Sequence, residues 1–435
     1  MRVLYQNLSM QKNYSNREKT MKNAEKRIAT VLSVGALLLT QSFGVAAYEC
    51  EMDITVRPAS GSTATRRAQD LFVFLDGTDN SSDSRTNVWR LHEMLLTNRK
   101  DGFAATYIPG VGSTTNPVFG NVLGHGMERR MRCGYAFLGE HYQPGDRIFI
   151  FGFSRGAHAA RNLAGQIAYA GIAPKEGDRD DQLKFANAIQ EIVKDQADDD
   201  HTAAWTNWKP GAPPPMAAKI NRRLKRQMLG AEVTLLGLWD TVPGSAFVKY
   251  GMCKEKTNRK EGDRYKTGSY PPIQHIAHAV SLDEKRSRFH PLLLCPAYNA
   301  ASTKLEQEWF PGAHADVGGG YEGETGLPDI SLGWMINRLR GYGVDVGPAP
   351  TGDPKALAHW SIGDAPANAG SRCEDREFPS GATISPEADR RRSSGDAELM
   401  AFGKIKKRPY PVTCAELSKK RQSGAPSFSA QERRL

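Results

Sequence analysis

The sequence predicts an α/β fold, a mostly parallel sheet flanked by helices, and three observations predict it. Short apolar runs end abruptly at turn-forming residues, helical patterns separate them, and the runs are rich in Val, Ile, Leu and Phe without strict alternation, as suits strands buried on both faces. Hydrophobic residues make up 39% and charged residues 24% of the 435 positions, which excludes a disordered, collagen-like or multi-span membrane chain. The length admits two or three domains, or one large α/β unit with insertions.

Taken in order, the chain opens on a segment with the three-part plan of a secretory signal. Lys22, Lys26 and Arg27 lead an apolar run from Ile28 to Leu39, and small residues stand at Val45 and Ala47. Residues 1–47 are therefore expected to be a signal peptide cleaved before Tyr48, with Met21 an alternative start. An uncleaved segment acting as an anchor is the other reading. Residues 48–69 read as a linker and 70–345 as the catalytic domain. Its candidate strands are Leu71 to Leu75, Ala104 to Ile108, Arg147 to Phe151, Val233 to Leu238, Ile276 to Leu282 and Leu305 to Phe310. A long insertion at 172–228 holds an acidic helix candidate, Asp181 to Asp200, and the proline-rich Pro210 to Pro215; it is a candidate lid or a solvated helical decoration. Residues 346–435, rich in Gly, Pro, Ser and charge, are expected to form a low-order basic carboxyl-terminal extension, partly disordered.

The net charge of +10 comes from the two ends. Residues 1–47 carry seven basic and two acidic side chains, and 389–435 carry twelve and five, leaving −2 for the middle. A nucleic-acid-binding domain would concentrate its charge on a folded face, so no nucleic-acid partner is expected; attraction to a membrane surface stays open. All six cysteines follow residue 47, an even number that suits disulfides in an exported, periplasmic or secreted protein, with connectivity unreadable. No cysteine or histidine cluster has metal-ligand spacing, and neither a metal nor an organic cofactor is expected. The oligomeric state is not legible.

The strongest chemical signal runs from Asp146 to Gly165. An apolar strand ends in Gly152-Phe153-Ser154-Arg155-Gly156 and helical sequence follows at once, the context a G-x-S-x-G nucleophile elbow demands. The hydroxyl of Ser154 would stand exposed at the tip, and the backbone N–H of Arg155 would face a developing oxyanion. A serine nucleophile needs a base, and the base needs an acid to orient its ring. In the order Ser, acid, His, the candidates are Asp240 after the fourth strand and His314 on the glycine-rich loop after the sixth, all at the carboxyl edge where ligands bind in open α/β sheets. Asp283 and Asp316 are rival acids; His158, His275, His278 and His290 are weaker bases.

Residue blocks in order from Asp70 to Leu339 carry a resemblance beyond the pentapeptide. They include Leu71-Phe-Val-Phe-Leu-Asp-Gly-Thr78, Tyr107-Ile-Pro-Gly-Val-Gly112, Gly145 to Ala157, Gly237-Leu-Trp-Asp-Thr-Val242, His278 to Arg286 and Trp309 to Tyr321. The chain resembles the α/β-hydrolase domain family that includes the phospholipase effectors of bacterial type VI secretion. The resemblance implies an α/β-hydrolase fold and a lipase-type mechanism carried here by Ser154, Asp240 and His314. It also implies that Asp76-Gly77-Thr78 sits beside the nucleophile, with Gly77 or Thr78 giving the second oxyanion N–H. The expected activity is hydrolysis of carboxylic esters of lipids, foremost phospholipids. A general carboxylesterase or thioesterase, and a non-catalytic membrane-binding module, are the alternatives.

Overall fold

The computed structural model describes residues 50–59, 67–110, 112, 123–196, 202–242, 268–362, 371–401 and 404–414. The expected signal segment and the basic residues after 414 lie outside the described residues. The strands are β1 (Asp53–Arg57), β2 (Asp70–Leu75), β3 (Phe103–Ile108), β4 (Arg147–Phe153), β5 (Val233–Trp239), β6 (His275–Ser281), β7 (Lys304–Phe310), β8 (Ala358–His359), β9 (Thr383–Ile384), β10 (Asp396–Ala401) and β11 (Lys404–Pro409). The helices are α1 (Asn87–Asn98), α2 (Leu123–His141), α3 (Arg155–Ala170), α4 (Arg179–Gln196), α5 (Thr202–Thr206), α6 (Ala217–Leu224), α7 (His314–Gly318), α8 (Gly326–Arg340) and α9 (Pro386–Ser393).

Eight strands form one sheet in the order β1-β3-β2-β4-β5-β6-β7-β9. Every neighbouring pair is parallel except β1 with β3, so the mostly parallel sheet expected from the apolar runs is present, as the implied α/β-hydrolase-like fold requires. Strands β2, β3 and β5 are buried along their whole length, which explains their lack of polar alternation: both faces are covered by helices. Because successive side chains point to opposite faces, Leu71, Val73 and Leu75 enter one core while Phe72 and Phe74 enter the other. The first core is closed by α2, α3 and the insertion; the second is closed by α1 and α8. In the second, Phe72 stacks on Phe149 and Phe74 on Phe151 across neighbouring strands, with ring centroids 4.8 and 5.3 Å apart.

The insertion forms α4, α5 and α6. Its Ala186, Ile189, Val193, Trp205 and Ile220 are almost wholly buried, so it is part of the first core rather than a solvated decoration.

Two segments differ from expectation. Within the expected linker, Asp53–Arg57 pairs antiparallel with β3 as an edge strand, and a disulfide joins Cys50 to Cys133 of α2. The carboxyl-terminal extension is likewise built into the fold over its described part. Strand β9 adds to the edge of the main sheet, α9 follows with Ser385 capping its first turn, and β11-β10-β8 form a second small sheet. A disulfide joins Cys373 to Cys414. This region is held by ion pairs, buried arginines and a few apolar residues, Trp360, Leu399 and Val412 among them, that join the second core. Arg391, 1% exposed, donates to the carbonyls of Pro354 and Ala356. Apart from the short alternation of Asp396 to Leu399 in β10, such packing leaves little apolar periodicity to read.

Gly237, in the middle of β5, has no room for a side chain. A Cβ there would stand 2.5 Å from the Phe151 ring and 2.8 Å from the Met335 sulfur. Gly237→Ala is expected to lower the free energy of unfolding by about 1–3 kcal/mol through overpacking, measured by urea denaturation; an unchanged midpoint would mean both neighbours repack freely.

Candidate active site

The site lies at the carboxyl edge of the main sheet. Strand β4 ends at Phe153 and α3 begins at Arg155, so Ser154 alone makes the turn, with φ 58° and ψ −124°. That backbone lies outside the populated regions for a residue with a side chain, at a cost of about 1–3 kcal/mol, and persists only where the surroundings fix it. They do so closely. The Ser154 N–H donates to the Trp239 carbonyl at 3.0 Å, and the Ser154 carbonyl accepts from His158 and Val242. Both glycines of the pentapeptide are needed because backbones touch. A Cβ on Gly152 would lie 2.6 Å from the Ala157 Cα, and one on Gly156 would lie 2.2 Å from the Leu75 carbonyl oxygen.

Strand β5 ends at Trp239, and Asp240 follows with a positive φ of 37° and no solvent exposure. Its Oδ2 is 2.6 Å from Nδ1 of His314, the first residue of α7. Asp240 also accepts from the Ser281 N–H and from a residue outside the expected catalytic domain: the guanidinium of Arg376 reaches both carboxylate oxygens, at 2.6 and 2.9 Å. Burial by itself would raise the Asp240 pKa, but the Arg376 charge, with the hydrogen bond and charge of His314, holds it well below the usual carboxylate range. Burial pushes the His314 imidazole down, against the pull of Asp240. Burial thus favours the neutral ring, and the carboxylate fixes its orientation.

Aromatic rings wall the imidazole. Phe153, beside Ser154, lies 4.6 Å from it and Phe289 meets it edge-on at 5.0 Å, with the Arg286 guanidinium 3.5 Å above the Phe289 ring. Glu284, 1% exposed, accepts from the backbone N–H of His314, from Arg286 and from the Ser361 hydroxyl. Burial would raise its pKa, but Arg286 brings it down to about 2. The Ser154 hydroxyl makes no hydrogen bond to the ring among the described residues; such contacts commonly close only around substrate.

The remaining expected site residues are placed as follows. Asp76 sits at the end of β2 and accepts from Thr86 and Tyr107 at 2.6 and 2.7 Å; burial raises its pKa to about 6 against those bonds. Gly77 abuts the nucleophile, since a Cβ on it would stand 3.2 Å from that of Ser154, and its N–H donates to its neighbour Asp76 at 2.7 Å. Thr78 carries a buried hydroxyl with no partner among the described residues. Neither rival acid meets His314. Asp283 accepts from the Gly312 N–H and the Tyr410 hydroxyl, whereas Asp316 pairs with His359 at 2.7 Å. Asp240 accepts from none of the four rival histidines: His275 bonds to Glu306 and Tyr342 at the opposite edge, His278 accepts from the Thr241 N–H, His290 faces Glu374, and His158 lies within α3. Sequence reasoning missed Arg376 and Glu284. The one signal for either was that a buried carboxylate needs a cation, which does not say which of many.

A groove lined by Tyr142, Trp208, Pro214 and Tyr342 lies at the amino ends of the strands, away from Ser154. Among the described residues no cluster of three or more His, Cys, Asp or Glu is arranged to hold a metal ion, and no helix is long and apolar enough to cross a membrane.

Two outcomes follow from this geometry. Gly156→Ala drives a Cβ into the end of β2 and is expected to lower any hydrolytic rate at least about 100-fold by displacing the turn; wild-type turnover on a soluble ester would show the elbow tolerates it. Glu284 has a folded pKa depressed below its unfolded value of about 4.3, so its contribution to stability is present above that pH and lost as pH falls through about 2. Glu284→Gln should therefore flatten the acid dependence of stability between those limits, read from denaturation midpoints against pH.

Comparison with known proteins places the chain in a family. Residues 69–338 match the model for the type VI secretion system (T6SS) phospholipase effector Tle1-like catalytic domain. A curated relative, the uncharacterized protein YEL023C of Saccharomyces cerevisiae, is 24% identical over 274 residues, which cover 56% of this chain and 35% of that one. The chain thus spans about a third of the length of the curated relative it matches. Among solved structures, an uncharacterized protein from Pseudomonas aeruginosa is similar at 16% identity with a TM-score of 0.33, over 65% of this chain and 46% of that one. The Tle1 effector bound to the VgrG spike is similar at 19% identity and 0.27, over 59% and 52%. Esterase 2 of Thermogutta terrifontis is similar at 15% and 0.34, over 69% and 95%. The family match covers more than half of the 435 residues, and the chain belongs to the Tle1-like phospholipase effector catalytic domain family.

Proposed function

We propose that the protein is a serine hydrolase of carboxylic esters of lipids, foremost phospholipids, with Ser154 as nucleophile, His314 as general base and Asp240 as the acid that orients it. The observation that carries this reading is the 2.6 Å contact of Asp240 with His314 at strand ends beside the Ser154 elbow. Ser154 Oγ attacks the ester carbonyl as His314 Nε2 takes its proton. Asp240 holds Nδ1–H and balances the imidazolium without taking the proton itself. The oxyanion is bound by the N–H groups of Arg155 and Thr78, because that of Gly77 is already engaged by Asp76 and Gly77 contributes its lack of a side chain. His314 then protonates the leaving alcohol, and water, activated by the same imidazole, releases the acyl group.

Family membership supports a lipid substrate, and the disulfides support export to an oxidising compartment, periplasmic or secreted.

The test is release of fatty acid from phosphatidylglycerol and phosphatidylcholine vesicles, with a short-chain soluble ester for comparison. Ser154→Ala is expected to abolish both activities; turnover of the soluble ester alone by wild type would redirect the reading to a general esterase, and vesicle binding without either turnover would favour a binding module. Asp240→Asn should cost about 10³–10⁴-fold in kcat. Asp283→Asn should cost no more than about tenfold, because Asp283 braces the backbone of the loop and does not touch the imidazole. The reverse ranking would move the acid to Asp283.

A further inference from the structure

Arg376 lies 38 residues beyond the end of the family match at residue 338, yet it is part of the site. Its Nη1 donates to Asp240 Oδ1 and the Ser281 carbonyl, both at 2.6 Å; its Nη2 donates to Asp240 Oδ2 at 2.9 Å and to the Phe289 carbonyl at 2.6 Å. One guanidinium thus joins the carboxylate, the end of β6 and the backbone of the ring that walls His314. It is 6% exposed.

The segment that delivers it has little apolar surface of its own. From Ser371 to Phe378 the sequence is Ser-Arg-Cys-Glu-Asp-Arg-Glu-Phe, and its one large apolar residue, Phe378, is 41% exposed against the edge of Trp309. What fixes the segment is a disulfide, ion pairs and a short backbone pairing with residues 285–287. Cys373 is bonded to Cys414 three residues before Arg376; Asp375, next to it, pairs with Lys285 at 2.7 Å and accepts from the Cys414 N–H; and the Glu374 N–H donates to the Lys285 carbonyl. Both cysteines are half-buried, within reach of an external reductant.

We propose that Arg376 is a positioning residue for the catalytic acid, acting through Asp240, and that the Cys373–Cys414 disulfide holds it there, so that ester hydrolysis is faster in the oxidised chain than in the reduced one. The proposal rests on the reading of Asp240 as the acid of the triad. Without the guanidinium, a carboxylate with no solvent exposure keeps only His314 and the Ser281 N–H, and both its orientation and that of the imidazole loosen. The redox step is an exchange with a dithiol. The S–S bond breaks, two electrons and two protons pass to the cysteines to give two thiols, and the dithiol closes to its own disulfide. The segment then loses its covalent tether and keeps only the short backbone pairing with residues 285–287, the Lys285–Asp375 pair and the bonds of Arg376 itself. Synthesis in a reducing compartment would leave the enzyme unpoised until export.

The test uses the full chain and the pH profile of kcat/KM on a soluble p-nitrophenyl ester, which a merely structural residue would not displace. The charged groups around the imidazole and its acid are Asp240, Glu284, Arg286, Arg376 and the neutral His278. Loss of the Arg376 cation makes the environment more negative, raising the pKa of the imidazole and of Asp240 itself, and both changes move the acid limb upward. Arg376→Gln is expected to lower kcat/KM about 100-fold and to raise the acid limb by about one pH unit. Arg376→Lys, which keeps the cation and loses the fork, should restore part of both and supplies the measurement if the Gln variant does not fold. Cys373→Ser with Cys414→Ser should lower kcat/KM about tenfold, displace the limb in the same direction, and add nothing to Arg376→Gln. Wild-type rate and profile in Arg376→Gln, with Ser154→Ala and Asp240→Asn inactive, would overturn the inference and leave the triad standing. Wild-type activity in those last two would instead overturn the triad. A wild-type profile in the cysteine variant would overturn the redox control.

Discussion

A carboxylate with no solvent exposure sets the terms for much of this structure. Taking one ion out of water costs several kcal/mol, and only well-placed counter-charges and hydrogen bonds offset that. Asp240 meets the cost with four donors: one ring nitrogen of His314, two arms of Arg376 and one backbone N–H. They come from three distant parts of the chain, so satisfying the carboxylate also joins β5, β6, α7 and the segment after residue 370. The same rule extends outward. Glu284 is buried against Arg286 and the His314 backbone, and Asp283 holds Gly312 against the Tyr410 hydroxyl. The loop bearing His314 is therefore suspended from carboxylates, and the aromatic rings fill the space between.

The parallel sheet is what makes this convergence geometrically available. Every strand from β2 to β7 runs in the same direction, so each chain segment leaving the sheet does so at one edge. Ser154, Asp240 and His314 are drawn from the exits of β4, β5 and β7, and Asp76 and Asp283 from those of β2 and β6. The two residues with the sharpest exits, Ser154 and Asp240, both have positive φ. Burial, close backbone packing and hydrogen bonds on either side hold them in conformations they would not adopt freely.

How much of this was legible in the sequence depends on the kind of interaction. The buried strands β2 to β6 announced themselves, because a strand covered on both faces is largely apolar, whereas β7 is buried only at Trp309 and Phe310; the elbow was legible because Gly152 and Gly156 are dictated by backbone contact. Ser154, Asp240 and His314 could be named by their order and their strand exits. Strand β1 escaped notice because an edge strand with no fully buried residue, Asp-Ile-Thr-Val-Arg, is too short and too polar to stand out. The segment from 371 to 414 escaped for a different reason. Its ordering rests on Arg376, Arg391, Asp375, a disulfide and a few scattered apolar residues such as Leu399 and Val412, and in a linear sequence those residues are indistinguishable from the charged, proline- and glycine-rich composition of a loose tail. Pairing of charges over long separations has no period.

The two described disulfides fall where that argument says they are needed. Ordering a residue costs about 1–2 kcal/mol of backbone entropy, and a segment with a buried apolar face recovers it through burial. Neither β1 nor residues 371–378 has much such surface, and each is tethered to the body by a bond beside it, Cys50–Cys133 in one case and Cys373–Cys414 in the other. Closing such loops removes conformations mainly from the unfolded chain, by an amount that grows slowly with loop length. The tether need not supply the contacts; it lowers the entropic cost of making them. That allows a nearly wholly polar stretch to bring one arginine to a buried carboxylate, an arrangement that ion pairs alone, competing with water at the surface, would hold only weakly.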